Sequence, residues 1–128
     1  MDAGPPRLPF CAGAVLAEGC HLKLKLVFEG HDEECLLIRF RGRCYAYINR
    51  CVHMPRPLDC EKDRVFDRSG LHLRCSMHGI VYTPETGTSV SALCEGERLR
   101  TVFIYEENGE VGIADWRVGG VRPLRAGT

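Results

Sequence analysis

The sequence predicts an all-β protein of sandwich or barrel-like architecture. Three observations lead there. Apolar residues alternate with polar ones at period two, turn residues separate short runs at close spacing, and no segment offers a long amphipathic helix.

The elements follow in order. Residues Asp2 to Pro9 hold three prolines and a glycine and are expected to form a loose arm. His21 to Phe28 sets Leu22, Leu24, Leu26 and Phe28 against Lys23, Lys25 and Val27, which is a strand pattern. Glu29 to Asp32 reads as a turn. Cys35 to Phe40 and Cys44 to Ile48 read as two strands of a hairpin around Arg41-Gly42-Arg43. Asn49 to Pro57 breaks the pattern with two prolines and is a loop. Arg64 to Phe66 and Leu71 to Arg74 are expected as short strands about the turn Asp67 to Gly70, and Cys75 to Gly79 as a second loop. Ile80 to Thr83 is a further strand, followed by the turn Pro84 to Gly87. Leu99 to Glu106 and Glu110 to Asp115 form a last hairpin around Glu107-Asn108-Gly109. From residue 117 the tail is expected to be loose. There is no internal repeat.

The length, 128 residues, suits one domain with its own core. Lys and Arg together number 17, as do Asp and Glu, so the chain as a whole attracts neither nucleic acid nor an anionic membrane. No stretch approaches a membrane span. The start lacks a basic n-region and the apolar run Phe10 to Ala17 stops at Glu18, so no signal peptide is expected. Eight cysteines invite a secreted disulfide scaffold. A reducing, cytoplasmic setting is the expectation instead, and there clustered Cys and His point to metal.

The chemistry concentrates in Cys51-Val52-His53 and, 21 residues on, Cys75-Ser76-Met77-His78-Gly79. Each of two loops offers one thiolate and one imidazole. A structural zinc site also takes two Cys and two His, but usually from separate Cys and His pairs. A mixed arrangement suits a centre of two irons, one taking both Cys and the other both His. The remaining cysteines have no ligand spacing, and Cys35 and Cys44 read as packing thiols. His21, His31 and His72 read as surface groups, Trp116 as packing for a sheet edge, and Arg39, Arg41 and Arg43 as a solvated basic face that could also steer an acidic partner.

The pattern C-x-H followed by C-x-x-H-G resembles the Rieske family. The resemblance runs from about the second strand to the last hairpin. Pro57-Leu58-Asp59, Phe66, Gly70, Tyr82, Thr86-Gly87 and Cys94-x-Gly96-x-x-Leu99 are similar to words of small, free-standing bacterial Rieske proteins. The resemblance implies an antiparallel β-sandwich spanning residues 1–128, with a cluster-binding subdomain at about 49–90. It implies a 2Fe–2S cluster with Cys51 and Cys75 on one iron and His53 and His78 on the other. Tyr82 is implied as a donor to the Cys51 sulfur, with Gly79 and Met77 flanking the centre. Imidazole ligation makes the oxidised cluster neutral and raises its potential over an all-cysteine one. The implied role is that of an electron carrier without catalysis of its own, between a reductase and an oxygenase or other redox enzyme. A small subunit or redox sensor of a larger oxidoreductase is the alternative.

The chain departs from the Rieske proteins of respiratory complexes. Their inter-loop disulfide positions are here Arg56 and Met77, and their Ser after His-Gly is here Ile80. The Gly-Pro segment of many Rieske ferredoxins is replaced by Ser91-Ala92-Leu93. Without the disulfide and the Ser hydroxyl, the potential is expected in the lower third of the Rieske range of about −150 to +300 mV.

Overall fold

The computed structural model describes residues 4–52, 56–59, 64–76 and 79–123. Nine strands run in chain order: β1 Leu8–Ala12, β2 His21–Phe28, β3 His31–Phe40, β4 Arg43–Ile48, β5 Leu73–Arg74, β6 Val81–Tyr82, β7 Ile104–Glu107, β8 Glu110–Ile113 and β9 Val118–Pro123. Two single turns of 3-10 helix, Gly13–Val15 and Ala92–Cys94, complete the set. The strands form a four-stranded sheet in the order β4-β3-β2-β9, a three-stranded sheet β1-β8-β7 and a two-stranded ladder β5-β6, all antiparallel.

Three hairpins share one turn chemistry. Glu29-Gly30, Arg41-Gly42 and Asn108-Gly109 each place two successive residues at positive φ. Such two-residue turns match the right-handed twist of the strands they join, and glycine takes the second position without strain. They are tight enough for the strands to run up to them. β3 therefore begins at His31, inside the expected turn, and reaches Phe40.

Both chain ends differ from the loose arms expected. Leu8 and Pro9 pair with Ile113 and Gly112, and Val118 to Pro123 pair with β2. Proline and glycine disguise both segments in the sequence. Each is an edge strand, where a missing N–H or a weak β-former is tolerated. Leu99 to Glu106 is not one strand either. Arg100 and Val102 exchange backbone hydrogen bonds with Ile48 and Ala46 at the free edge of β4, and only from Ile104 does the chain join the other sheet. Of the expected strands Arg64–Phe66 and Leu71–Arg74, Leu73–Arg74 forms, with a single bridge from Phe66 to Leu73.

β3 is buried on both faces, which explains the unbroken apolar run Cys35-Leu36-Leu37-Ile38. Its odd residues Cys35 and Leu37 join Leu24, Leu26, Phe28, Ile48, Val111 and Ile113 in a core between the two larger sheets. Its even residues Leu36, Ile38 and Phe40 face a second core with Tyr47, Leu58, Phe66, Leu73, Ile80 and Tyr82, and this second core contains Cys51, Cys75 and Cys94. Among the described residues no helix is long and apolar enough to cross a membrane.

Candidate metal centre

The two cysteine loops leave the end of β4 and the end of β5. Both close in the same way. The Cys51 N–H donates to the carbonyl of Arg56 at 2.8 Å, and the Cys75 N–H donates to the carbonyl of Ile80 at 2.8 Å. Each cysteine thus anchors its loop to a residue five positions on. In the second loop the Gly79 N–H returns to the Cys75 carbonyl at 2.9 Å. Gly79 holds φ +73°, a left-handed backbone that glycine takes without strain, with the guanidinium of the flexible Arg74 side chain over it.

Cys51 and Cys75 are buried, at 4% and 2% exposure, in one core cluster with Tyr82 at 0%. The Tyr82 hydroxyl lies 3.1 Å from Cys51 Sγ and accepts the Val52 N–H at 3.0 Å. A cysteine that ligates iron is a thiolate and can only accept, so toward such a sulfur the Tyr82 hydroxyl would be the donor. Burial first, and then the sulfur beside it, push the Tyr82 phenol well above its ordinary range, so it remains a donor. His53, Met77 and His78 lie outside the described residues, as does Cys60. Among the described residues no group of three or more His, Cys, Asp or Glu gathers at one point.

The loops are also fixed to each other and to the scaffold. The Ser76 N–H donates to the Leu58 carbonyl at 2.7 Å, and the Leu58 N–H donates to Asn49 Oδ1 at 2.9 Å. Asn49 Nδ2 donates to Glu34 at 2.6 Å and to Asp59 at 3.1 Å, and Lys23 Nζ reaches Asp59 at 2.8 Å. Burial works to raise the Asp59 carboxyl, but the Lys23 and Asn49 hydrogen bonds outweigh it, and its pKa lies below the ordinary value. Asn49, Asp59 and Lys23 were not singled out as functional from the sequence. The available signal was an Asn closing an apolar strand before a proline-rich loop, together with a Lys inside an apolar alternation.

A third segment packs beside these loops. Cys94 is buried at 6%, with its sulfur 3.3 Å from Ser89 Oγ, and Ser91 Oγ accepts the Val81 N–H at 2.9 Å. The N–H groups of Cys94, Gly96 and Glu97 are hydrogen-bonded within this segment, to Ser91, Ser89 and Cys94 carbonyls.

Two expectations are corrected here. Trp116 does not pack a sheet edge: it is 71% exposed, because its neighbours Asp115 and Arg117 turn inward. Asp115 accepts hydrogen bonds from the Phe103 N–H and from Arg117, leaving the indole outside. Arg39 is not a solvated side chain. It donates to the carbonyls of Leu16 and Gly13 and to Glu106, joining the two sheets, and the basic face loses its first member.

The donor set fits an iron–sulfur centre. Two buried cysteines arrive from two closed loops, and a phenol is aimed at one sulfur. Ionised thiolates so buried require positive charge at the sulfurs, which bound iron supplies.

The family model of the Rieske [2Fe-2S] domain matches residues 14–107. A comparison with curated proteins finds no match. Among solved structures, the chain is similar to one in an oxygenase–ferredoxin complex of carbazole 1,9a-dioxygenase, with 25% identity and a TM-score of 0.69 over 87% of this chain and 29% of that one. It is similar to the terminal oxygenase of carbazole 1,9a-dioxygenase from Novosphingobium sp. KA1, with 26% identity and a TM-score of 0.67 over 95% of this chain and 32% of that one. The ferredoxin of carbazole 1,9a-dioxygenase from Nocardioides aromaticivorans IC177 shares the fold, with 20% identity and a TM-score of 0.64 over 85% of this chain and 97% of that one. The chain therefore spans about a third of the length of the first two and nearly all of the third. The paired loops, the antiparallel scaffold and the family match agree: this chain belongs to the Rieske [2Fe-2S] domain family, and its cofactor is a Rieske-type 2Fe–2S cluster.

Proposed function

We propose that the protein carries single electrons, as a ferredoxin-like partner between a reductase and an oxygenase or another redox enzyme, in the cytoplasm and without catalysis of its own. Cys51 and Cys75 hold one iron, and His53 and His78 hold the other. Residues 49–90 act as the cluster-binding subdomain. The observation that carries this reading is the burial of one cysteine from each loop in a single core, with the loops tied by the Ser76–Leu58 hydrogen bond. When bound, the cluster accepts and gives up one electron.

The chain's own residues do the rest. The Cys51 and Cys75 loops close on their own backbones, so the thiolates are presented from fixed positions. Tyr82 donates to the Cys51 sulfur and is itself held by Val52. Leu58, Leu73, Ile80 and Leu99 exclude water from the sulfur side of the site. The similar ferredoxin, matched over 97% of its length, shows that the fold of this chain is one a small carrier can have by itself. The experiment is EPR of the dithionite-reduced protein with iron and sulfide counts. A Rieske-type signal, with an average g clearly below that of an all-cysteine cluster, is expected at two irons per chain. A colourless, zinc-only preparation that stays so after iron–sulfur reconstitution would overturn the assignment.

A further inference from the structure

Two clefts meet beside the second cysteine loop. Their volumes are about 640 and 520 Å3, and both are lined by Arg64, Phe66, Asp67, Arg68 and Ser69. They form one groove. At one end lie Arg74 and Ser76, the residues on either side of Cys75, and at the other lie Cys20 and His21. Buried Phe66, stacked on Phe40 with ring centres 6.2 Å apart, supports the groove from beneath.

Among the described residues that line this groove, three arginines face one aspartate. Arg64, Arg68 and Arg74 are exposed, and among the described residues none of their guanidinium groups makes a hydrogen bond or ion pair. Elsewhere Arg7, Arg39, Arg50, Arg100 and Arg117 each hold a carboxylate, whereas Arg41, Arg43, Arg56, Arg98 and Arg122 are, like the groove arginines, without one among the described residues but are not gathered in one cleft. The acidic lining residue Asp67 is turned into its own loop, accepting from Ser69 Oγ at 2.6 Å and the Gly70 N–H at 3.1 Å, with His72 3.7 Å away. The chain as a whole has no net charge, so among the described residues these three cations in one cleft stand out.

We propose that this arginine groove is the docking face for a carboxylate-rich surface of the electron-transfer partner. The proposal rests on the carrier reading and names the partner's chemistry. Its place supports it: Arg74 adjoins Cys75, and its guanidinium lies over Gly79. A partner seated there stands beside the second cysteine loop. Its shape supports it too. The groove is long and spreads its cations along its length, which suits an extended carboxylate-bearing surface. Complementary charge of this kind chiefly raises the encounter rate and fixes register.

The test uses the reduced, cluster-loaded protein and two small oxidants of opposite charge, ferric EDTA and hexaammineruthenium(III), in stopped-flow mixing. The anionic oxidant is expected to react faster at low ionic strength and to slow as salt is added. Arg64→Gln with Arg68→Gln is expected to slow ferric EDTA roughly threefold or more, less than the about 10–10³-fold of full electrostatic steering because only two charges are removed, without slowing the ruthenium complex. Arg64→Lys with Arg68→Lys is expected to restore the rate. Poly-L-glutamate is expected to inhibit the wild-type reaction and to spare the Gln variant. EPR of the same samples separates the two readings. A sample without the Rieske signal sinks the carrier reading and this proposal with it. A sample with the signal, whose Gln variant matches the wild type, sinks the docking face alone. So does saturable inhibition by inorganic phosphate at constant ionic strength, which would make the groove a small-anion site.

Discussion

The two faces of β3 border two different kinds of interior. On the odd face, Cys35 and Leu37 meet side chains that come mostly from long strands, and the enclosing walls are two hydrogen-bonded sheets. On the even face, Leu36 and Ile38 meet Leu58, Ile80, Cys94 and Leu99, which lie on loops and turns, with the two-residue strands β5 and β6 as the regular structure there. The first interior is held by ladders that need no ligand. The second is closed largely by hydrogen bonds between and within loops, such as Ser76 to Leu58 and Cys51 to Arg56. Strand ladders leave little freedom in where a side chain points, and loops closed on one another allow two distant cysteines to converge.

The largest effect separates the two interiors outright. Cys75→Ser is expected to abolish the cluster while sparing the sheets, because the serine oxygen is a poor iron ligand and the strand core does not depend on the metal. Visible absorption and iron content should fall to background while the strand signal in far-UV circular dichroism persists. Loss of both together would mean that the two interiors fold as one unit.

Leu37→Ala probes the other face. It truncates a side chain 1% exposed between two sheets and should cost about 2–5 kcal/mol. The loss should be the same with or without the cluster, read as the shift of the urea midpoint in both forms. A loss confined to the cluster-loaded protein would break the distinction.

Asp59→Asn tests the tie between the interiors. The Asp59 pKa is depressed in the folded state, because the hydrogen bonds from Lys23 and Asn49 outweigh its burial. The carboxylate's contribution is then fully present above the unfolded value of about 3.9 and is lost as pH falls through the lower folded value. At neutral pH the substitution should cost about 1–3 kcal/mol, the worth of a hydrogen bond to a charged group. The gap from wild type should narrow as pH falls below about 4, measured as paired urea midpoints across acid pH. A gap that widens on acidification would show that Lys23 does not stabilise the ionised form.

The strand-built side was the legible side. β2 has the expected bounds because one face of it is buried, and period two follows directly. β3 was shortened in expectation because His31 to Glu34 look like turn residues, although a two-residue turn leaves them in the ladder. β1 and β9 were missed because edge pairing overrides the warning that Pro9, Gly119 and Gly120 give. On the loop-built side the sequence supplied the chemistry, Cys51 and Cys75, but not the ties. The Asn49–Asp59–Lys23 contacts join residues from β2, the end of β4 and a loop, and no local pattern encodes that meeting.

The smallest effect concerns the one phenol directed at a sulfur. The Tyr82 hydroxyl lies 3.1 Å from the Cys51 sulfur and takes the Val52 N–H, so Tyr82→Phe removes the group that would donate to an iron-bound thiolate and strands a backbone amide. A hydrogen bond to sulfur favours the more negative, reduced state, so its loss lowers the potential. If the bond is about 0.5–1.5 kcal/mol stronger in the reduced state, the midpoint falls by roughly 20–60 mV, at 59 mV per 1.4 kcal/mol for one electron. The starting value is expected low. Ile80 brings no hydroxyl, and the amides of Cys94, Gly96 and Glu97 are hydrogen-bonded within their own segment. Protein-film voltammetry of the two forms at pH 7 reads both claims. A wild-type midpoint well above zero would mean that a further donor reaches the sulfurs. An unchanged midpoint in Tyr82→Phe would place the Tyr82 proton on another acceptor, and the two interiors would then differ in packing but not in how they act on the cluster.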